Sequence, residues 1–224
     1  MAQGGGPPMI TDDPGTTPKG TWEINTTFNS AVTNMNEYEI PRLDFNYGAN
    51  ERIQLKIEIP FLLTTTPDKG LARSTGSPVP GIKYRFLDES KHFISVSTYP
   101  QAAVAIHADD ETQYKLPLQF QKTFKRFAIG EDFGIILSKS TTGNWANGNL
   151  LGYIISDKLE VMGEWCTQGN FNRGSAFRSF VNVGMRYEIK RRLMFMTSFG
   201  TQTHTPESEQ REYFFSYTGL QWRL

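Results

Sequence analysis

From Thr21 to Leu224 the chain alternates apolar and polar residues with a period of two. No window of helical length keeps an apolar stripe at i, i+3, i+4. Ile53, Leu55, Ile57, Ile59 and Phe61 alternate with Arg52, Gln54, Lys56 and Glu58. Tyr114, Leu116, Leu118 and Phe120 alternate with Lys115, Pro117, Gln119 and Gln121, and Val181, Val183, Met185 and Tyr187 with Asn182, Gly184 and Arg186. Side chains of a strand point to opposite faces in turn, so such a chain builds sheet with one apolar and one polar face. About twelve segments carry the pattern, near 21–30, 37–47, 52–63, 78–87, 92–103, 113–124, 127–138, 146–156, 159–168, 176–187, 193–203 and 212–224.

The links between segments alternate strictly. Short ones fall at Gly48–Glu51, Asp88–Lys91, Lys125–Arg126, Asp157–Lys158 and Glu188–Arg192, and longer polar ones near 31–36, 64–77, 104–112, 139–145, 169–175 and 204–211. A meander with all its long loops at one end predicts an all-β, antiparallel, up-and-down transmembrane β-barrel of about twelve strands. Both termini then lie at the short-turn, periplasmic side. Crossing an apolar band takes about 9–11 tilted residues, which most segments supply. Aromatic residues also gather near segment ends, among them Trp22, Tyr47, Phe86, Tyr99, Trp145, Trp165, Tyr187 and Trp222, as rings with a polar edge do at lipid headgroups.

Composition bounds the rest. With 23 basic and 23 acidic residues the formal charge is zero, which argues against a nucleic-acid partner. A single cysteine, Cys166, excludes an intrachain disulfide and a cysteine-based metal site. Residues 1–20 are rich in Gly, Pro, Asp and Thr without periodicity and read as an arm preceding a barrel of residues 21–224. Met1-Ala2-Gln3 lacks the basic and apolar regions of an export signal, which fits both a start methionine before a mature end and a cytoplasmic protein. Under the outer-membrane reading the expectation is that a signal has been removed.

The start of the chain resembles a known family. Gly6-Pro7-Pro8-Met9-Ile10-Thr11-Asp12-Asp13-Pro14 and Gly20-Thr21-Trp22-Glu23-Ile24-Asn25 are similar to the opening of the outer-membrane channels called the "meta-pathway of phenol degradation" family. Pro41-Arg42-Leu43-Asp44-Phe45-Asn46-Tyr47-Gly48 with Gln54-Leu55-Lys56-Ile57-Glu58-Ile59-Pro60 resembles its second hairpin, and Gly81-Ile82-Lys83-Tyr84-Arg85-Phe86 its fourth strand. The resemblance covers residues 6–100; beyond, only length and strand rhythm agree. It implies a channel of Gram-negative outer membranes that admits small hydrophobic or aromatic molecules. The substrate class comes from the resemblance alone.

Several residues can be placed on the expected barrel. If the apolar set faces lipid, Arg42, Asp44, Lys56, Glu58, Lys83, Arg85, Lys115, Gln119 and Arg186 line the pore. Asp12 and Asp13 are expected to reach inward to Arg or Lys groups such as Arg42, Lys56 or Arg85, folding the arm into or across the short-turn mouth. Glu131 falls in the apolar phase of its segment, between Gly130 and Gly134, where a bulge is one reading. Six prolines, Pro41, Pro60, Pro78, Pro80, Pro100 and Pro117, lie within or at the start of the second to sixth segments and none on the seventh to twelfth. Each removes a ladder donor or demands a bulge, and two readings follow. Either the prolines sit just above the apolar band, where water repairs the damage, or this side of the wall is bulged or parted at the outer leaflet and lets an apolar solute leave sideways. Chemistry has little to stand on. His92, His107 and His204 are never followed two residues later by Ser, and His107-Ala108-Asp109-Asp110-Glu111 reads as a solvated loop. No metal, cofactor or catalytic residue is expected. The reading is a monomeric, passive outer-membrane channel in contact with lipid and small hydrophobic solutes. Its alternatives are an outer-membrane enzyme acting on lipids or peptides, and a soluble β-barrel that binds lipid.

Overall fold

The structure, a computed structural model, describes residues 5–32, 36–66, 70–108, 110–140, 143–171, 177–205 and 214–224. It contains fourteen strand segments: β1 (Trp22–Val32), β2 (Asn36–Gly48), β3 (Ile53–Thr66), β4 (Gly70–Thr75), β5 (Val79–Leu87), β6 (Ser95–Thr98), β7 (Gln101–Ala103), β8 (Gln113–Phe124), β9 (Phe127–Leu137), β10 (Asn144–Ser156), β11 (Leu159–Asn170), β12 (Phe177–Lys190), β13 (Leu193–His204) and β14 (Phe214–Arg223). Two wall positions are shared. β4 and β5 both run along β3, at Phe61–Thr66 and Ile53–Glu58. β6 and β7 both run along β8. The result is a twelve-strand antiparallel barrel, closed where β1 pairs with β14 from Glu23 opposite Arg223 to Val32 opposite Phe214. Trp22 and Leu224 exchange backbone hydrogen bonds of 3.0 and 2.9 Å, so the barrel begins and ends on the rim of short turns.

Two boundaries differ from the sequence reading. The long loop expected at 64–77 is partly strand, because β3 runs on through Thr64-Thr65-Thr66 and β4 returns along it. Threonine is polar, yet its branched Cβ favours extended backbone. The fifth wall strand starts at Ser95 rather than 92, because the Asp88 carbonyl accepts from the amides of Lys91 and His92 at 2.9 Å and holds 88–92 as a turn.

The barrel is inside-out relative to a globular core. Leu55, Ile82, Leu116, Ile129, Leu151 and Val183 stand exposed on its outer face, while Asn25, Asp44, Gln119, Gln202 and Arg186 are buried within. Alternation is what permits this, since one strand serves both environments. Aromatic pairs mark both ends of the outer face. Trp22 with Tyr47, and Phe127 with Tyr153, lie toward the short turns at centroid distances of 4.8 and 4.7 Å. Phe28 with Tyr38, and Phe199 with Phe214, lie toward the long loops at 6.0 Å. Two expected end-of-strand aromatics stand elsewhere: Tyr99 points inward and is buried, and Trp165 is exposed at the middle of β11.

Candidate pore, plug and wall

Each cation expected in the interior faces it. On β2 and β3, Arg42 bridges Glu39 at 2.8 Å and Glu58, and Lys56 holds Glu58 at 2.8 Å and Asp44 at 3.5 Å. Asn25 and Asn46 donate to Asp44 at 2.9 and 3.0 Å, and Gln54 donates to Asn46 at 2.7 Å. Across the barrel Lys115 lies 3.6 Å from Asp132, Arg186 lies 3.5 Å from Glu160, and Gln119 accepts from Ser97 at 2.6 Å. A buried charge is tolerable only when paired and hydrogen-bonded, and the same strand (Glu39 for Arg42, Glu58 for Lys56) or an adjacent one supplies the partner here. Arg85 sits lower, donating to the Glu51 carbonyl at 2.7 Å and pairing with Asp88 at 3.1 Å. Hydrogen bonds from Ser90 hold the Asp88 carboxyl below the usual carboxylate range.

The arm crosses this interior. It leaves the short-turn rim where Lys19 bridges to Gly48, then Thr17 donates to Gln54 at 2.7 Å. Lys83 donates to the Asp12 carboxylate at 3.0 Å and to the Asp13 carbonyl at 2.7 Å. Further along, Glu164 accepts from the amides of Ile10 and Thr11 at 2.8 and 2.7 Å, and Asn182 steadies Glu164 at 2.7 Å. Arg186 donates to the carbonyls of Pro7, at 2.7 Å, of Gly6, at 2.8 Å, and of Gly5, while Ser198 donates to that of Pro8 at 2.8 Å. Met9 packs with Leu150 and Met162. Asp12 thus reaches inward to a lysine, though not to Arg42, Lys56 or Arg85. The cation that pairs with Asp12 is Lys83, because Arg42 and Lys56 are already held by Glu39, Glu58 and Asp44, and Arg85 by Asp88. Glycines make room on the wall: a side chain at Gly148 would run into Thr11, and one at Gly184 into Met9 and Ser198.

Above the arm, toward the long loops, lies a cavity of about 600 Å³. Pro7, Met9 and Ile10 contribute to its lining from the arm, and Arg42, Lys56, Glu58 and Lys115 from the wall. A second space of about 270 Å³ adjoins it between Ile10, Ala146, Cys166, Phe180 and Phe215.

One side of the wall is discontinuous. Pro41 falls in a register shift that interrupts pairing of β2 with both β1 and β3. Pro60 keeps its place opposite Arg42, but on its other side the ladder skips from Phe61 to Glu58, and only the Gly76 amide reaches its carbonyl at 2.9 Å. Pro78 lies between β4 and β5, while Pro80 is in register opposite Ile57. Pro100 separates β6 from β7. Pro117 pairs with Gly134 of β9, but the facing ladder jumps from Leu118 to Lys115. There Thr98 donates its hydroxyl to the Pro117 carbonyl at 2.6 Å, replacing a lost backbone donor. β5 meets β7 at the single pair Gly81–Gln101, and β4 pairs with β3 alone. Beyond that, the wall is tied by Val104 N to Pro78 O at 2.9 Å and His107 Nε2 to Thr75 O at 2.8 Å. From β8 to β14, by contrast, register shifts fall only near strand ends, at Ile154–Ser156, Ser179–Phe180 and Glu188–Lys190.

The glutamate read as a possible bulge is on a regular strand: Glu131 pairs with Phe120 and Asn149 in unbroken ladders and points outward. Glu164, Asp132, Tyr99 and Ser198 were missed as interior groups. The phase of Phe127, Ile129, Phe133 and Ile135 already turns Asp132 inward, whereas Tyr99 carries no such signal because Pro100 breaks the strand beside it. His107 holds the Thr75 carbonyl, and the His204 ring lies tilted against Phe177 at a centroid distance of 4.6 Å. Asp109, Pro67 and Pro206 lie outside the described residues.

No family model matches the chain, and no curated protein does. Solved structures do. The COG4313 outer membrane channel from Pseudomonas putida F1 superposes with a TM-score of 0.78 at 11% identity, covering 98% of this chain and 100% of that one. The KdgM porin gives 0.64 at 10% identity over 88% and 98%, and the NanC porin 0.64 at 10% over 90% and 98%. The chain thus has the fold of outer-membrane channels.

Proposed function

We propose that the chain is an outer-membrane channel for passive passage of small, apolar or aromatic solutes, with residues 5–20 as its plug. The observation that carries the reading is the position of the larger cavity. Its floor is the arm, and Leu62, Val79, Tyr99, Gln101 and Ala103 on its flank lie along the discontinuous wall. A solute arriving from the long-loop side meets Met9, Ile10 and Phe215, together with charges that already neutralise one another. Arg42, Lys56, Lys83, Lys115 and Arg186 each have a carboxylate within 4.0 Å, so these five described residues form no track of free cations for a polyanion. That disfavours a substrate like the oligogalacturonate seen with KdgM. The route onward is sideways. In lipid an unpaired backbone group costs several kcal/mol unless protein or water satisfies it. Hydroxyl and loop groups meet part of that demand between β3 and β8, so this side can part and release a solute that has not passed the paired charges of the interior.

Proteoliposomes test the reading. Uptake of an uncharged single-ring aromatic should exceed that of a sugar of similar size, and equal uptake would overturn the substrate class. We read the protein as non-enzymatic. Lipase and protease assays separate it from a hydrolytic barrel, and extraction without detergent separates it from a soluble lipid binder.

A further inference from the structure

The outer face of β9 to β11 carries a polar island. Glu131 stands outward at the middle of β9, with Phe127 and Ile129 on one side of it along the strand and Phe133, Ile135 and Leu137 on the other. Its cross-strand neighbours are Phe120 on β8 and Asn149 on β10. The Asn147 amide donates to the Glu131 carboxylate at 3.2 Å, and the Asn149 amide donates to the Asn147 side-chain carbonyl at 2.6 Å. Around these three residues stand exposed Ile129, Phe133, Leu151, Trp165 and Val181. A carboxylate and two amides therefore sit amid apolar residues at mid-strand depth, where lipid offers no hydrogen bonds.

The island is self-complementary. Each amide has two N–H groups and spends one of them in the chain just described, and Glu131 spends one carboxylate oxygen. Donors and acceptors are left over together, side by side. A two-fold axis along the membrane normal, passing between the registered pair Glu131 and Asn149, sets Glu131 against the partner's Asn149 and the reverse. That is the reciprocal contact an isologous interface requires. Ile129 and Leu151, themselves registered opposite one another, would flank the axis.

We propose that this face is a dimer interface, occupied by a second copy of this chain, in which Glu131, Asn147 and Asn149 satisfy one another across the two-fold axis. It replaces the expected monomer and rests on the membrane reading alone, not on the substrate class. The test is disulfide trapping in isolated outer membranes. Leu151→Cys in a Cys166→Ser background should cross-link on oxidation to twice the 25.4 kDa of one chain. Phe45→Cys, on β2 across the barrel, should not. Adding Glu131→Leu and Asn149→Leu should abolish the cross-link while the heat-dependent gel shift of a folded barrel persists. The proposal is overturned by monomer at Leu151→Cys, by equal cross-linking at Phe45→Cys, or by a dimer indifferent to the two leucines. Absence of the protein from the membrane fraction would instead strike the membrane reading.

Discussion

Lys83 is the residue on which the arm turns. It is buried, and it holds both the Asp12 carboxylate and the Asp13 carbonyl. Lys83→Met leaves Asp12, itself half-buried, facing its neighbours without that counter-charge, at a cost below the ~3–5 kcal/mol of breaking a fully buried pair. The expected outcome is an undocked arm and a several-fold rise in single-channel conductance, partly reversed by adding Asp12→Asn. Gly148 offers an independent route to the same end. A valine there has no room beside Thr11, and overpacking of this kind costs about 1–3 kcal/mol. Since Gly148 bears no charge, a matching rise in conductance for Gly148→Val would show that displacing the arm, not changing the electrostatics, opens the path. Unchanged conductance in both variants would mean that ions already pass around the arm.

Among the elements, β4 to β7 differ from the rest because proline has no N–H to give a neighbouring strand. β4 pairs along one edge only, and β7 reaches β5 through one residue pair. Local opening follows such sparse pairing. Amides of β4 and β7 should exchange with solvent deuterium well before those of β11 and β12, and equal protection would remove the basis for a weak side. Restoring donors tests what the weak side does. Pro100→Val with Pro117→Val lets β6 and β7 run together along β8. It should lower uptake of an apolar aromatic while leaving ion conductance unchanged, because the lumen is not narrowed. A parallel fall in both quantities would place the solute in the lumen throughout.

For the molecule as a whole, the arm and the barrel act on one another. Deleting residues 4–18 should raise single-channel conductance, since the arm floors the cavity, and an unaltered value would show that the arm does not obstruct the pore. Much of this architecture is legible in the sequence. Alternation in Ile53–Phe61 or Val181–Tyr187 is a local property, because neighbouring side chains of a strand must point apart. It assigned inner and outer faces for nearly every strand, and the rhythm of links gave the meander. The prolines marked the irregular side for an equally local reason, since a missing N–H is missing in any fold. Other features were decided only by tertiary structure. That Lys83 receives Asp12, rather than Arg42 or Lys56, depends on which carboxylates the neighbouring strands bring alongside each cation. Glu164 and Arg186 lie more than 150 residues from the arm they hold, a separation no pattern of period two can express. Threonines 64–66 read as loop until β4 came back to pair with them. The sequence by itself determined which face a side chain takes along each regular strand, because that follows from the geometry of one strand. Only the tertiary structure decided which charges meet, because burial obliges each to take a partner that closure of the barrel brings within reach.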